Sequence, residues 1–295
     1  RAAEEAEPVQ RIAHTQLLQG GLISLDDTVT PTKDAKAPKG VKRGRLWLYL
    51  GDVDRVAYCA YSEDWKGKHP RAVLEGFQGT VQNDGYAGID GLFTGPDPPN
   101  RAGCNDHCRR KFVVPLELGD KRAEPIIHLY QRLYDVERTA KLNGSNAEER
   151  LIVRQEKSAV LWAELGGAID ALRGSVGKKE PLGKAITYWD RQQKALSAFL
   201  SNGHLPISNV HVEQIIRVVA LLRKAMLFVG SPKAGLRFAT LMTLAANCLL
   251  CGANPEEYFA FLFDALATGW PAKRKDELMP QAWVKAQKPD AVLAA

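Results

Sequence analysis

The order of β-prone and helical segments constrains this chain more strongly than any single motif. The β-prone stretches all lie within the first 104 residues: Leu22–Asp26, Leu46–Leu50, Val56–Tyr61, Gly79–Gln82 and Arg101–Cys104. From about 124 to 200 apolar residues recur at helical spacing throughout, and a last strong helical stripe covers about 210–228. Such an order predicts one sheet formed early in the chain, with helices added to it afterwards.

Shorter helical segments surround the predicted strands, at 8–19, at 70–77 and after Pro255. Three strands, a crossover helix, a fourth strand, a helical insertion and a long helix follow the ribonuclease-H-like order. We therefore predict an α/β fold with a ribonuclease-H-like mixed sheet, an α-helical insertion and a small helical C-terminal extension. A Pro-, Lys- and Gly-rich segment, 31–44, is expected to be an exposed loop.

Three parts of the chain are expected from this pattern. Residues 1–21 would form an N-terminal helix, and residues 22–236 the α/β domain, with its helical insertion at about 124–200. Residues 237–295 would form the helical C-terminal extension. Trp47 and Trp189 lie at apolar-face positions, which predicts core packing for both.

The basic excess of the chain is clustered. The net charge is +6 and the pI is near 9.0. One stretch combines a single acid, Asp34, with six basic residues: Lys33, Lys36, Lys39, Lys42, Arg43 and Arg45. Two further basic groups are 109–111 and 273–275. Such clusters suit a polyanion because each neutralised phosphate releases counterions, although any one of them could be a solvated loop or helix face.

The cysteine content and the apolar segments indicate in which cellular compartment the protein is expected. Five cysteines, an odd number in a long chain, favour reduced thiols. The first seven residues are acidic, unlike a signal peptide. The longest apolar stretch, Leu241–Cys251, is interrupted by Asn247 and is too short to span a bilayer. We therefore expect a cytoplasmic protein that is not embedded in a membrane.

Three acidic residues fall where a ribonuclease-H-like sheet gathers its carboxylates. Asp26 ends the first predicted strand, Asp84 follows the fourth, and Glu213 lies on the late helix. Mg²⁺ and Mn²⁺ prefer oxygen ligands, and two such ions can assist both the attacking and the leaving oxygen of a phosphodiester. Spacing alone leaves alternatives open, since the two aspartates could be turn residues and Glu213 could pair with Arg217 on its own helix.

Four segments carry a resemblance to a known family. Leu25–Thr28 is similar to the family's Asp-Glu-Thr-Pro, and Val81–Gly88 to its Gln-x-Asp-x-Tyr-x-Gly. Gly103–Phe112 is similar to its Gly-Cys-x-x-His-x-Arg-Arg-Lys-Phe, and Ser208–Lys224 to its Asn-Asn-x-x-Glu-Arg-x-Ile-Arg-x-x-Ala-x-x-Arg-Lys. The chain thereby resembles the insertion-sequence-66 family of bacterial transposases over nearly its whole length.

The resemblance implies a DNA transposase that cleaves a transposon end to free a 3′ hydroxyl and then joins that hydroxyl to target DNA. Its implied catalytic and metal-binding residues are Asp26, Asp84 and Glu213, holding two Mg²⁺ or Mn²⁺ ions. The implied partners are transposon-end and target DNA, further copies of the chain on that DNA, and accessory proteins of the same element.

Further roles follow for residues near these motifs. Contacts with DNA phosphates are expected from Arg109, Arg110, Lys111, Arg217, Arg223 and Lys224. Supporting roles are expected from Asp27, Cys104, His107 and Asn209. Cys104 and His107 could share a zinc ion with Cys248 and Cys251, but we favour buried thiols and an orienting imidazole over zinc ligands.

The chain departs from the family pattern at three positions. Gln214 replaces an Arg, Ser208 replaces an Asn, and Val29 replaces a Pro. Two alternatives to an active transposase therefore stay open: a catalytically degraded DNA-binding remnant, and a related metal-dependent DNA nuclease. The sequence also begins where relatives are already mid-chain, so recognition of transposon ends is not expected from it alone.

Overall fold

The computed structural model describes residues 2–37, 39–52, 55–226 and 228–287, with the backbone alone for 219–226. The strands are β1 (Leu22–Lys33), β2 (Val41–Gly51), β3 (Ala57–Ser62), β4 (Thr80–Asn83) and β5 (Asn100–Gly103). They form one sheet in the order β3-β2-β1-β4-β5, and β2 pairs antiparallel with both β1 and β3. The predicted α/β class is confirmed.

The α-helices are α1 (Ala2–Glu5), α2 (Glu7–Leu18), α3 (Lys68–Val73), α4 (Asn105–Glu117), α5 (Glu124–Leu142), α6 (Ala147–Val153), α7 (Ala159–Asp170), α8 (Pro181–Leu196), α9 (Val210–Met226), α10 (Pro232–Cys251), α11 (Pro255–Ala267) and α12 (Pro280–Gln287). A π-helical turn, Arg154–Ser158, joins α6 to α7. The helical pattern expected from 124 to 200 is confirmed by α5 to α8.

The expectation of an exposed loop over 31–44 is wrong for half of that segment. β1 continues to Lys33 and β2 begins at Val41, and these two residues are paired in the antiparallel register. Pro31 does not interrupt the strand, because its carbonyl still accepts a hydrogen bond from the Val229 backbone N–H at 2.7 Å. A proline is tolerated where the strand does not need its missing N–H.

The chain divides into two compact units. The first contains residues 1–81, 86–100 and 211–295, and the second contains residues 82–85 and 101–210. In the first unit α2 packs on β3 and α10, while α11 and α12 also contact α10. The boundaries expected near 21 and 236 stay predictions.

The first unit has an apolar cluster on each side of its central strands. On one side Trp47 and Tyr49 pack with Ile23 and Leu25. On the other side the alternate β2 residues, Leu46, Leu48 and Leu50, pack against α9 and α10. Because strand side chains alternate between faces, β2 supplies both clusters. Trp47 is 1% exposed, as its apolar-face position predicted.

Helix α10 covers the outer edge of β3, the first strand in the sheet order. The Asn247 side chain accepts a hydrogen bond from the Ala57 N–H at 3.0 Å and donates to the Ala57 carbonyl at 2.8 Å. Thr243 Oγ1 accepts from the Cys59 N–H at 2.9 Å. These side chains satisfy backbone groups that an edge strand otherwise leaves open.

These contacts also explain the apolar stretch that includes Asn247. The helix begins at Pro232, before the apolar stretch Leu241–Cys251, and by length and composition alone the whole of α10 is long and apolar enough to cross a membrane. Its buried side chains nevertheless pack on the sheet, and its polar residues bond to β3. These are the contacts of a core helix rather than of a membrane span.

The second unit is built around a buried arginine. Arg154, 1% exposed, donates from Nη1 to the carbonyls of Phe199, Asn202 and Leu205 at 2.9, 2.7 and 2.9 Å. Its other nitrogens donate to both carboxylate oxygens of Glu137, at 2.7 and 2.6 Å. One side chain thereby closes the turn that follows α8. Trp189, fully buried as predicted, packs against Trp162 in the same unit, with the ring centres 4.8 Å apart.

Candidate functional site

The register of β1 and β2 separates the two neighbouring aspartates. Asp26 is paired with Leu48, and Asp27 is paired with Trp47. Residues directly opposite each other on antiparallel strands point to the same face of the sheet. Asp26 therefore lies on the face of Leu48, and Asp27 lies on the opposite face.

Glu213 belongs to the helix that covers the Leu48 face. Its neighbour Val212 and the next-turn residues Ile215 and Ile216 pack in the same apolar cluster as Leu48. Glu213 itself is 8% exposed, and it lies in the first turn of α9. Within the first unit, Asp26 and Glu213 therefore belong to the same side of the sheet.

Asp27 is held by two side chains on the other face. Arg45 Nη1 donates to its Oδ2 at 2.8 Å, and Trp65 Nε1 donates to its Oδ1 at 3.0 Å. The guanidinium of Arg45 also lies 4.1 Å from the centre of a Trp65 ring. Both oxygens of Asp27 are thus used in structural contacts, and Arg45 is a paired cation rather than a free member of its basic cluster.

Tyr86 completes this stack. Its ring lies 4.2 Å from that of Trp65 at an interplanar angle of 6°, and its hydroxyl donates to the Trp65 carbonyl. Gly67 follows in the same segment, where an added Cβ would lie 1.5 Å from the Gly88 carbonyl oxygen. Sequence reasoning missed Trp65, although an aromatic residue between charged neighbours was a signal that it makes a specific contact.

Asp84 lies in the second unit, directly after β4. The turn that carries it is held on both sides, since the Gly85 N–H donates to Asn83 Oδ1 at 2.7 Å and Tyr188 Oη donates to the Asp84 carbonyl at 2.7 Å. Gly85 has φ +83°, a conformation that favours glycine. Burial raises the pKa of Tyr188, which keeps its hydroxyl protonated as a donor. Sequence reasoning also missed Tyr188.

The basic residues of α4 are partly neutralised within their own helix. Asp106 forms ion pairs with Arg109, at 3.3 Å, and with Arg110. Lys111 Nζ lies 5.6 Å from the centre of the Tyr188 ring. The side chains of Arg109 and Arg110 remain 35% and 46% exposed, so contacts with a ligand are sterically open to them.

The other predicted DNA contacts lie on α9. Arg217 is exposed, one turn after Glu213. The side chains of Arg223 and Lys224 lie outside the described residues. Contacts of all these basic residues with DNA stay predictions.

The cysteines are free thiols, four of them buried. Burial raises the pKa of Cys108 and of Cys248 to about 12, which favours the protonated thiol. Of the predicted supporting residues, Cys104 and Asn209 are buried and His107 is half-buried. Their supporting roles stay predictions.

Comparisons with known proteins identify relatives of this chain. The model of a family described as "Transposase IS66 family" matches residues 1–237. The uncharacterized protein y4hP of Sinorhizobium fredii is 30% identical over 296 residues, which cover 92% of this chain and 52% of that protein. The uncharacterized protein y4qI of the same organism is 32% identical over 293 residues, covering 93% and 52%.

The chain spans about half the length of these curated relatives. No solved structure matches it.

Proposed function

The chain belongs to the IS66 family of transposases, and on that premise we propose that it cleaves DNA and transfers the cut strand with a divalent metal held by Asp26, Asp84 and Glu213. The observation that carries this proposal is the shared face of Asp26 and Glu213 in the first unit. The opposite orientation of Asp27, with Arg45 and Trp65 on its two oxygens, supports Asp26 as the catalytic member of the pair.

The order of the strands supports Asp84 as the third carboxylate of the proposed site. β1 and β4 are neighbours, and the Thr80 N–H donates to the Gly21 carbonyl at 2.8 Å where both strands begin. In a parallel register this bond sets Thr80 opposite Leu22, and Asp84 directly follows the end of β4. The sheet order, with an antiparallel β1-β2-β3 meander beside β4, likewise supports a ribonuclease-H-like core.

The proposed donor set fits a hard divalent cation. All three side chains offer carboxylate oxygens, which Mg²⁺ and Mn²⁺ prefer, and no soft ligand is needed. When bound, two such ions supply charge stabilisation for an in-line displacement at phosphorus. The protein's part is positioning: Asn83 and Tyr188 hold the turn of Asp84, while Arg45 neutralises Asp27 on the far face.

The proposal is tested with matched aspartate variants. The substrate is a labelled duplex that carries the terminal sequence of the encoding element, incubated with Mn²⁺. Asp26→Asn and Asp84→Asn are expected to abolish cleavage while DNA binding stays near that of the parent. Asp27→Asn, the neighbouring control, is expected to keep most of the cleavage because its carboxylate points to the other face.

The possible outcomes of this experiment distinguish the proposed transposase from the alternative functions. Cleavage that survives in Asp84→Asn would show that the site is wrong. A parent protein that binds but never cuts would indicate a degraded DNA-binding remnant, and cutting without strand transfer would indicate a nuclease. The DNA partner, the oligomer on DNA, the accessory proteins and the cytoplasmic location belong to the same proposal.

A further inference from the structure

The β1–β2 hairpin extends beyond the rest of its sheet. The two strands pair from Ile23 with Gly51 to Lys33 with Val41. β3 pairs only with the Arg45–Leu50 part of β2. Residues 30–33 and 41–44 therefore continue as a two-stranded ribbon past β3, and we call residues 30–44 the ribbon.

The ribbon is anchored at its base. Tyr61 Oη donates to Thr32 Oγ1 at 2.8 Å, and an added Cβ at Gly44 would lie 2.8 Å from that same Tyr61 oxygen. The Val229 backbone pairs along the outer side of β1, since Val229 N–H donates to the Pro31 carbonyl and the Lys33 N–H donates to the Val229 carbonyl. These contacts hold the ribbon in a fixed direction, unlike a solvated loop.

Most of the ribbon's positive charge is exposed. Lys42 is the exception, because its ammonium pairs with Asp34 at 3.1 Å and with Glu63, whose hydrogen bond raises the Lys42 pKa. Within the described part of the chain no ion pair is found for the four exposed basic residues of the ribbon, which are Lys33, Lys36, Lys39 and Arg43. The Lys33 ammonium lies 4.5 Å from the centre of the Phe228 ring.

The position of this charge fits a nucleic-acid backbone. Lys33 lies at the end of β1, Arg43 lies on β2, and Lys36 and Lys39 lie in the connection between the two strands. Their charges are therefore grouped at one end of the hairpin, where each can neutralise one phosphate of a duplex.

We propose that the ribbon binds the phosphate backbone of duplex DNA through Lys33, Lys36, Lys39 and Arg43. The proposal takes DNA as the partner from the proposed function, and it extends that function with a contact surface away from the carboxylates.

The test measures the salt dependence of DNA binding. A fluorescent duplex of about 30 bp and arbitrary sequence is titrated with the parent, with a variant carrying K33Q, K36Q, K39Q and R43Q, and with a control carrying K178Q, K179Q, K184Q and K194Q. The control removes the same number of exposed charges from the second unit. Each lost phosphate contact reduces the slope of log K against log salt by about 0.9.

We expect the ribbon variant to lose about three to four units of slope, and the control less than one. The single variants K36Q and K39Q should each lose about one unit, and unchanged melting temperatures would show that folding is intact. Equal slopes for the ribbon and control variants would overturn the proposal. That result would leave the carboxylate assignment standing, whereas cleavage by Asp84→Asn would remove the carboxylate site and leave the ribbon unaffected.

Phosphate ethylation interference locates the contact. Ethyl groups on the phosphates that the ribbon contacts should weaken binding of the parent to the element-end duplex and have no effect on the ribbon variant. An interference pattern that is identical for the parent and the ribbon variant would assign the contact to another surface.

Discussion

In each of the two compact units, side chains form hydrogen bonds with backbone groups that have no partner in a helix or strand, but the side chains are neutral in one unit and charged in the other. In the first unit the neutral side chains of Asn247 and Thr243 bond to the backbone of β3. In the second unit the charged side chain of Arg154 bonds to three backbone carbonyls and to Glu137. Either a neutral or a charged side chain can therefore bond to backbone groups in place of other backbone groups. The two kinds should differ in how much their removal lowers the free energy of unfolding.

The largest difference should appear on removal of the buried charge. Arg154→Met leaves Glu137, whose side chain is 16% exposed, without its ion-pair partner, and it leaves three carbonyls without this donor. Breaking one side of a buried pair costs about 3–5 kcal/mol. Urea unfolding should therefore show a loss of about that size in the free energy of unfolding.

Arg122→Met is the matched control for that loss. Arg122 also bonds two carboxylates and a carbonyl, those of Asp120, Glu180 and Ser175, but its side chain is 41% exposed. Solvent screens exposed pairs, so Arg122→Met should lose much less stability than Arg154→Met. Equal losses in the two variants would break the comparison, because burial would then not decide the cost.

The neutral network should lose less, but still a measurable amount. Asn247→Leu leaves the Ala57 N–H and carbonyl without their side-chain partner and also removes the acceptor of Gln281. Unsatisfied buried polar groups cost about 1–3 kcal/mol each, so the two groups of Ala57 give a range of about 2–6 kcal/mol in chemical denaturation, and we expect the lower half of it because both groups are uncharged. The uncovered edge of β3 should also make the variant aggregate more readily, which light scattering would detect. A loss below about 1 kcal/mol would mean that water replaces the side chain.

How much of this could be read from the sequence depends on the range of the interactions. Alternation and helical spacing are local, so the strands around Trp47 and the helix of Glu213 were predicted correctly. The end of β1 was not, because its continuation through Pro31 depends on pairing with Val229, nearly two hundred residues away.

Long-range bonding is also the reason why the sequence did not predict the structural roles of several polar residues. Arg154 and Asn247 look like ordinary residues of polar and apolar helices, and only their distant partners reveal their roles. At the candidate site, the carboxylates followed from element order and family resemblance. The contacts of Trp65 and Tyr188 did not, because each bonds to a residue far away in sequence.

A smaller change within the first unit sharpens the comparison further. Thr243→Val keeps the shape of the side chain but removes the acceptor of the Cys59 N–H. A single neutral hydrogen bond contributes about 1 kcal/mol. Thr240→Val is the control one turn earlier on α10, where the hydroxyl bonds to Gln10 rather than to the strand. If Thr243→Val lowers the free energy of unfolding no more than Thr240→Val does, the hydrogen bond to the edge of β3 stabilises the fold no more than an ordinary hydrogen bond.

The smallest effect is expected where charges meet in solvent. Arg237 and Lys233 lower the pKa of Glu4 to about 2, from an ordinary value of 4.5. A carboxyl whose folded-state pKa is depressed contributes stability that is present above its unfolded pKa and is lost as pH falls towards the folded value. Unfolding followed from pH 4.5 down to about 2 should therefore show a slightly shallower loss of stability for Glu4→Gln than for the parent. The double variant Lys233→Met/Arg237→Met should reproduce that change, since it removes the same attraction from the other side. If either variant lost as much stability as Arg154→Met loses in urea unfolding, charge itself rather than its burial would set the cost, and the contrast between the two units would lose its physical basis.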